Sequence, residues 1–221
     1  MRFQDRRHAG RELAARLVEW SADSGLVDPL VLALPRGGVP VAAEVARALG
    51  APLDVLVARK IGIPGRRETG IGALVADDPP LFDARALEML GLSQERLAPD
   101  VARERAELHR RETRYRGERP RPRIEGRTVI LVDDGLATGV TARAALRHLR
   151  SRKPPARLVL AVPVCAPEAA AELRADADDL LCLHQPSGFR AVGLWYDDFD
   201  QVGDDEVVAV LHRHGAAAGT G

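Results

Sequence analysis

The stretch VILVDDGLATGVT, residues 129–141, decides the fold of this 221-residue chain. Four apolar residues end in two adjacent carboxylates, Asp133 and Asp134, and a short loop with two glycines then leads into a helical pattern. A short apolar run with such a loop and helix after it is typical of a buried strand in a parallel sheet. Ligands of open parallel sheets bind at the carboxyl ends of the strands, so we expect both acids at that edge.

The residues after the two acids suit a phosphate group. Ala137, Thr138, Gly139, Val140 and Thr141 present successive backbone N–H groups at the start of a helix, where anions bind readily. The glycine permits close approach of the backbone, and the two threonine hydroxyls add donors. Carboxylates in turn accept strong hydrogen bonds from vicinal hydroxyls. The stretch therefore predicts a site for a phosphorylated ribose, and the alternative is a plain strand–turn–helix corner capped by acids and threonines.

Outward from this stretch, short apolar runs alternate with helical patterns, which indicates an α/β protein with a parallel sheet and crossover helices. The predicted elements are a helix at 8–20, a strand at 29–35, a helix at 39–50, a strand at 53–58, helical residues at 83–116, a strand at 127–134, a helix at 138–150, a strand at 156–164, a helix at 167–175, a strand at 179–185 and a helix at 204–214. The glycine- and proline-rich residues 59–82 predict a loop or an irregular hairpin, and residues 116–126 predict a linker.

Composition and length predict one domain over residues 1–214. Within it we expect a helical insertion and linker at 83–123 and a tail or hood at 186–214, followed by a disordered tail at 215–221. A hydrophobic content of 46% is enough for a core, and the net charge of zero gives no general attraction to nucleic acid or membrane. The apolar runs are strand-sized, and the N-terminus has no apolar segment of a signal peptide. We therefore expect a cytoplasmic protein.

A second loop, Arg36–Gly37–Gly38, follows the first sheet strand. Its glycines allow a tight turn and close approach to a ligand, and Arg36 can bind a phosphate bidentately. A simple tight turn would explain the same residues. Arg59 and Lys60 end the second strand, and Lys60 is conspicuous because nearly all the other basic residues are arginines. Residues 61–72 are a candidate lid over a site, or else a passive surface loop.

The ribose-phosphate stretch closely resembles the phosphoribosyl-pyrophosphate-binding signature of type I phosphoribosyltransferases. The resemblance implies a central, mainly parallel sheet with flanking helices, with Asp133 and Asp134 on the ribose 2′- and 3′-hydroxyls and residues 137–141 on the 5′-phosphate. Gly135 departs from the family, which usually has an aliphatic residue there, and this could loosen the loop. Ala137 stands where the 6-oxopurine-using members carry an Asp general base, which counts against a hypoxanthine/guanine assignment by that mechanism.

The same resemblance gives the other loops a role. Arg36, Gly37 and Gly38 match the family's pyrophosphate loop, and Arg59 and Lys60 stand where basic residues face the pyrophosphate. Together with residues 3–10 and 195–199, these segments make the chain similar to small prokaryotic phosphoribosyltransferases of unassigned substrate.

The implied function is transfer of ribose 5-phosphate from phosphoribosyl pyrophosphate to a nitrogen nucleophile, with a nucleobase as the expected acceptor. Mg²⁺ is the implied cofactor, held mainly by the ligand, with Asp133 and Asp134 as candidate ligands. Arg36 and Lys60 would neutralise the departing pyrophosphate, which completes the set of candidate catalytic residues.

Several alternatives stay open. The rings of Trp195 and Tyr196 could stack on a heterocyclic acceptor, or they could form a small aromatic core that anchors the tail. The chain could also be a regulator that binds phosphoribosyl pyrophosphate or a nucleotide without turnover, or a hydrolase of phosphorylated sugars. Residues 103–123 are basic, but interleaved acids favour ion pairing on a solvated face over nucleic-acid binding. A homodimer is left open.

Overall fold

The computed structural model describes residues 2–151 and 153–217, with the backbone alone for residues 66–69 and 215–217. Along the chain the elements are α1 (Arg6–Ser24), β1 (Leu30–Ala33), α2 (Gly38–Leu49), β2 (Leu53–Val55), β3 (Ala58–Ile63), β4 (Arg66–Val75), β5 (Leu81–Phe82), α3 (Ala84–Leu90), α4 (Gln94–Arg116), β6 (Thr128–Val132), α5 (Val140–Ser151), β7 (Arg157–Val164), α6 (Pro167–Leu173), β8 (Asp179–His184), a 3-10 helix (Val192–Trp195) and α7 (Asp204–Ala217).

The central sheet is parallel throughout, in the order β2-β1-β6-β7-β8. Helices α1, α2 and α7 cover one face, and α5 and α6 cover the other. In β6, Ile130 packs into the first layer and Leu131 into the second, both with no exposed surface. Burial of each such side chain stabilises the fold by roughly 1.5–3 kcal/mol. The predicted fold class is therefore confirmed, and the sheet brings the loops after β1 and β6 side by side.

Residues 58–82 form a second, antiparallel sheet in the order β3-β4-β5. The hairpin expected within 59–82 is present, with register shifts on both sides of Gly62, and β5 adds a third strand that the sequence did not predict. Residues 61–72, the candidate lid, belong mostly to the paired strands β3 and β4. Glycine is compact enough for the close contacts of this sheet: a Cβ on Gly72 would lie 2.7 Å from the Phe82 ring.

The helical insertion consists of two helices, which together fill the helical pattern over 83–116. Helix α3 ends at Gly91, whose φ of 59° lies in the left-handed region, and α4 begins after Ser93. The Ser93 hydroxyl accepts a hydrogen bond from the Arg96 N–H at 3.3 Å, so Ser93 is the N-cap of α4. On the outer face of α4, basic residues pair with acids, for example Arg110 with Glu107 at 2.7 Å. This pairing agrees with the expected solvated face.

Both ends of the domain meet beside the sheet. Phe3 N–H donates to the Trp195 carbonyl at 2.8 Å, which joins the N-terminal residues to the tail. Helix α7 extends to residue 217, so the tail predicted to be disordered from residue 215 begins inside a helix, and residues 218–221 lie outside the described part of the chain. None of the helices within residues 2–151 and 153–217 combines the length and apolar character needed to cross a membrane.

Candidate functional site

Two of the predicted loops touch at the carboxyl edge of the sheet. A Cβ on Gly37 would lie 2.0 Å from Oδ2 of Asp134, and one on Gly38 would lie 2.7 Å from the Val132 carbonyl oxygen. Only glycine fits at either position without movement of its neighbours. Gly37 and Gly38 also begin helix α2, and the peptide bond between Pro35 and Arg36 is cis. The acid pair therefore lies against a helix N-terminus, where the partial positive charge favours anions.

The two acids crowd each other. Asp133 accepts a hydrogen bond from the Asp134 backbone N–H through Oδ1 at 2.9 Å. Burial raises the pKa of Asp133 well above its usual value, and the neighbouring Asp134 charge adds to the shift. Burial also raises the pKa of Asp134, although the guanidinium of Arg6 opposes that effect. Partners that donate hydrogen bonds or carry positive charge therefore stabilise the ionised form of this pair.

Arg6 contacts the acid pair, and the sequence did not predict this contact. Its Nε donates to Oδ2 of Asp134 at 2.8 Å, and both side chains are largely buried, at 11% and 14% exposure. The same guanidinium donates to the Asp200 carbonyl at 2.8 Å and lies 3.8 Å from the centroid of the Phe199 ring. Arg6 was noticed only as part of the family-like N-terminal segment. No local signal connects position 6 with an acid 128 residues away.

The predicted phosphate loop is open to solvent at its centre. Ala137 and Thr138 are exposed, and Gly139 adopts a φ of 69° just before α5 begins at Val140. A Cβ on Gly139 would lie 2.9 Å from Leu173 of α6, so this glycine serves both the turn and the packing. The first amides of α5 have no acceptor within their own helix, as in any helix, and can bind an anion.

Of the three predicted basic residues, Lys60 lies beside the end of the phosphate loop. A Cβ on Gly70 would lie 2.6 Å from Cδ of Lys60 and 3.4 Å from Cγ1 of Val140, so the lysine stem runs beside the start of α5. Arg59 instead donates twice to Oε2 of Glu104 in α4, at 3.0 and 2.6 Å. Arg59 is thus tied to the helical insertion.

Arg36 joins a network centred on Asp204, the first residue of α7. Its Nη1 lies 3.6 Å from Oδ1 of Asp204, which also accepts a hydrogen bond from the Tyr115 hydroxyl at 2.5 Å. That hydrogen bond is the main reason that the pKa of Asp204 is lowered. Two further arginines of α4, Arg110 and Arg114, approach Oδ2 at 3.3 and 3.4 Å. Helices α4 and α7 therefore support the loop that carries Arg36.

The aromatic tail packs on the site from outside. Tyr196 is 4% exposed, and its hydroxyl donates to the Asp134 carbonyl at 2.6 Å. Its ring packs between Phe3 and Phe199, with centroids 5.4 and 4.9 Å away. This is the arrangement of the anchoring alternative, because the ring has little surface left for an acceptor. Trp195 keeps part of its surface exposed.

Gly135, which departs from the family pattern, lies at a closely packed point of the loop. A Cβ there would lie 2.6 Å from Cγ1 of Val192 and 3.0 Å from Cγ1 of Val164. The small residue lets the 3-10 helix of the tail pack directly on the loop after Asp134.

The donor set around the acids fits a hard cation that brings other ligands with it. Within the described residues, no group of three or more His, Cys, Asp or Glu side chains could hold a metal ion. Asp133 and Asp134 offer carboxylate oxygens, the ligand type that Mg²⁺ prefers, and Mg²⁺ commonly takes one or two carboxylates plus oxygens of a phosphorylated substrate.

Comparison with known proteins gives a consistent picture. The family model described as "Phosphoribosyl transferase domain" matches residues 5–197. The Mycobacterium tuberculosis protein named "Putative phosphoribosyl transferase Rv0571c" is 43% identical over 220 residues, covering 98% of this chain and 48% of that protein. The chain thus spans about half the length of the curated relatives that it matches along its length.

A solved structure extends the likeness to three dimensions. The crystal structure of the Thermus thermophilus protein TT1426 matches with 46% identity and a TM-score of 0.78, covering 96% of this chain and 99% of that one. A shorter match links the chain to the bifunctional protein PyrR of Chloroflexus aurantiacus, 42% identical over 76 residues, or 31% of this chain and 42% of that protein.

Proposed function

Because the chain belongs to the phosphoribosyl transferase domain family, we propose that it transfers ribose 5-phosphate from phosphoribosyl pyrophosphate to a nitrogen nucleophile, and that this acceptor is a nucleobase. The observation that carries the proposal is the contact between Gly37 and the Asp134 carboxylate. A ligand that binds to both of these neighbouring loops must carry hydroxyl groups for the acids close to phosphate groups for the glycine loop. Phosphoribosyl pyrophosphate has its ribose hydroxyls beside its pyrophosphate.

Each loop then has a distinct task. Asp133 and Asp134 accept hydrogen bonds from the ribose hydroxyls, and the amides of residues 137–141 bind the 5′-phosphate. The amides at the start of α2 bind the pyrophosphate together with Arg36, whose charge is now partly directed to Asp204 at 3.6 Å. Lys60 contributes its charge beside the phosphate loop.

Mg²⁺ is the proposed cofactor, since the crowded carboxylates fit a small divalent cation. Asp133 and Asp134 would hold it, and it would supply positive charge that stabilises the leaving pyrophosphate. The chain's own contribution is orientation: Arg6 and the Tyr196 hydroxyl hold Asp134 at its carboxylate and its carbonyl, at 2.8 and 2.6 Å. Catalysis of this kind depends mainly on positioning and on stabilisation of charge on the leaving group.

Few residues of the site have a proposed role in binding or activating the acceptor. Ala137 offers no general base, so we propose an acceptor whose attacking nitrogen does not depend on a carboxylate at that position. The partly exposed ring of Trp195 is the proposed stacking surface, while Tyr196 anchors the tail. A cytoplasmic location and a homodimer stay predictions.

The proposal is tested with a panel of nucleobases, each incubated with the protein, phosphoribosyl pyrophosphate and Mg²⁺. We expect one base to yield a product with the mass of its nucleoside monophosphate and an equal amount of pyrophosphate. Pyrophosphate release without any base would indicate a hydrolase. Calorimetric binding without turnover of any base would favour the regulatory alternative, and an absence of binding would contradict both.

Replacement of Arg6 by Met is expected to weaken binding of phosphoribosyl pyrophosphate by about 10-fold or more, because Asp134 loses a charge-assisted hydrogen bond of ~1.5–3 kcal/mol. Arg6→Lys should recover part of the affinity, since it keeps the charge without the planar guanidinium. Isothermal titration calorimetry with Mg²⁺ measures both. Arg7→Met, at the exposed next position of α1, is the matched control and should bind normally. Wild-type affinity in Arg6→Met would refute this role.

A further inference from the structure

Two thiols lie in contact behind the candidate site. Cys165 follows β7 directly and Cys182 lies in β8, and their Sγ atoms are 2.9 Å apart. They are the only cysteines of the chain. The thiol of Cys182 also donates to the His184 carbonyl at 3.1 Å, which holds it close to the end of β7. An approach of roughly 0.9 Å would bring the two sulfurs to the length of a disulfide, about 2.05 Å.

We propose that Cys165 and Cys182 are a modification site, at which a peroxide converts the two thiols into an intramolecular disulfide. Cys182 is partly exposed and meets the oxidant first. Its sulfur attacks one peroxide oxygen and becomes a sulfenic acid, and the first water leaves. The sulfur of Cys165 then attacks the sulfenic sulfur, which forms the S–S bond and releases the second water. Two thiols lose two electrons, one hydrogen peroxide gains them, and both thiol protons end in water.

The surroundings fit this order of events. Cys165 has no exposed surface, so it is protected from direct oxidation by solvent species. In the reduced protein its hydrogen bond with Cys182, aided by the charge of Arg174, lowers the pKa of Cys165. The same hydrogen bond, with burial, raises the pKa of Cys182. The first step is therefore slow at neutral pH, and the reaction needs an excess of peroxide.

The backbone around Cys165 connects this pair to the candidate site. Leu136 N–H donates to the Val164 carbonyl at 2.9 Å, and Ala166 N–H donates to the Leu136 carbonyl, also at 2.9 Å. Leu136 lies between the acid pair and the phosphate loop. A displacement of Cys165 toward β8 therefore also displaces Leu136, in the middle of the loop. From this we infer a lower affinity for phosphoribosyl pyrophosphate in the oxidised protein, and this second part rests on the proposed function.

Intact-mass spectrometry of the folded protein after exposure to hydrogen peroxide tests the disulfide itself. We expect a loss of about 2 Da that a reductant reverses, and a peptide map that joins the segments of Cys165 and Cys182. The single variants Cys165→Ser and Cys182→Ser are the controls and should show no such loss. Gains of about 16 Da or multiples at either cysteine, unmodified thiols, or a disulfide between two chains would each overturn the proposal.

Calorimetry on the oxidised and the reduced protein tests the coupling to the site. We expect at least about a fivefold weaker affinity for phosphoribosyl pyrophosphate after oxidation, which is ~1 kcal/mol, with full recovery in reductant and no peroxide effect in Cys165→Ser. Equal affinities with the disulfide present would overturn the coupling. If neither form bound the ligand, the proposed function would fail, while the mass measurement would still decide the disulfide.

Discussion

The variant that combines Asp133→Asn with Asp134→Asn is expected to bind phosphoribosyl pyrophosphate at least ~100-fold more weakly than the native protein. Two charge-assisted hydrogen bonds to ribose hydroxyls, each ~1.5–3 kcal/mol, are exchanged for weaker ones, and the charge that attracts Mg²⁺ is lost. Calorimetry with and without Mg²⁺ measures the change. Asp77→Asn, in another pair of adjacent acids but 72% exposed, is the control that should bind normally.

The effect on stability separates loss of function from loss of fold. The pKa of Asp133 is raised in the folded state, so its stabilising contribution is present below its unfolded pKa and is lost as the pH rises through the folded one. Ionisation of Asp133 in the folded protein therefore lowers the free energy of unfolding. Asp133→Asn alone should raise the Tm by about 2–4 °C, or ~1 kcal/mol, in a protein of this size. A fall in Tm together with the loss of binding would mean that the acid serves the fold.

The substitution Gly37→Ala is expected to have the second large effect. It should lower the affinity for phosphoribosyl pyrophosphate by about 10- to 100-fold. The added methyl group would lie 2.0 Å from Oδ2 of Asp134, whose carboxylate Arg6 also holds. The carboxylate or the start of α2 must move, and a broken charge-assisted hydrogen bond of ~1.5–3 kcal/mol accounts for the size of the loss. The same calorimetric titration gives the affinity.

Gly188→Ala is the matched control for this glycine, since a Cβ there would meet no atom within 4 Å. It should bind the ligand like the native protein. If Gly37→Ala also did so with Arg6 still in contact with Asp134, the closeness of the two loops would have no part in binding.

The central sheet was predictable because a strand buried on both faces has a continuous apolar sequence. Residues 129–132 fill both layers of the core, and nothing in their sequence competes with a strand. The antiparallel sheet of residues 58–82 was less predictable, because glycines replace the alternating side chains that usually indicate a strand. Gly70 and Gly72 leave room for the Lys60 stem and the Phe82 ring, and that need arises only from packing.

Some features of the candidate site were likewise predictable from the sequence, and others were not. The acid pair, the phosphate loop and the Arg36 loop were found from local sequence, and neighbouring strands bring them together. The partners of these residues could not be predicted from local sequence, because each contact joins distant segments. The contacts are Arg6 with Asp134, the Tyr196 hydroxyl with the Asp134 carbonyl, and Arg36 with Asp204. No periodicity or spacing encodes such pairs.

The junction of Phe3, Arg6 and the tail at Asp134 has a consequence for biosynthesis. Phe3 and Arg6 leave the ribosome before Tyr196 and Asp200, and all strands of the central sheet lie between them in the sequence. The sheet and its loops can assemble before Tyr196 and Asp200 are made. At that stage the guanidinium of Arg6 still lacks the Asp200 carbonyl as its acceptor and the Phe199 ring as its stacking partner. A nascent chain can thus pair the strands of its central sheet before the contacts around Asp134 and the packing of α7 are complete.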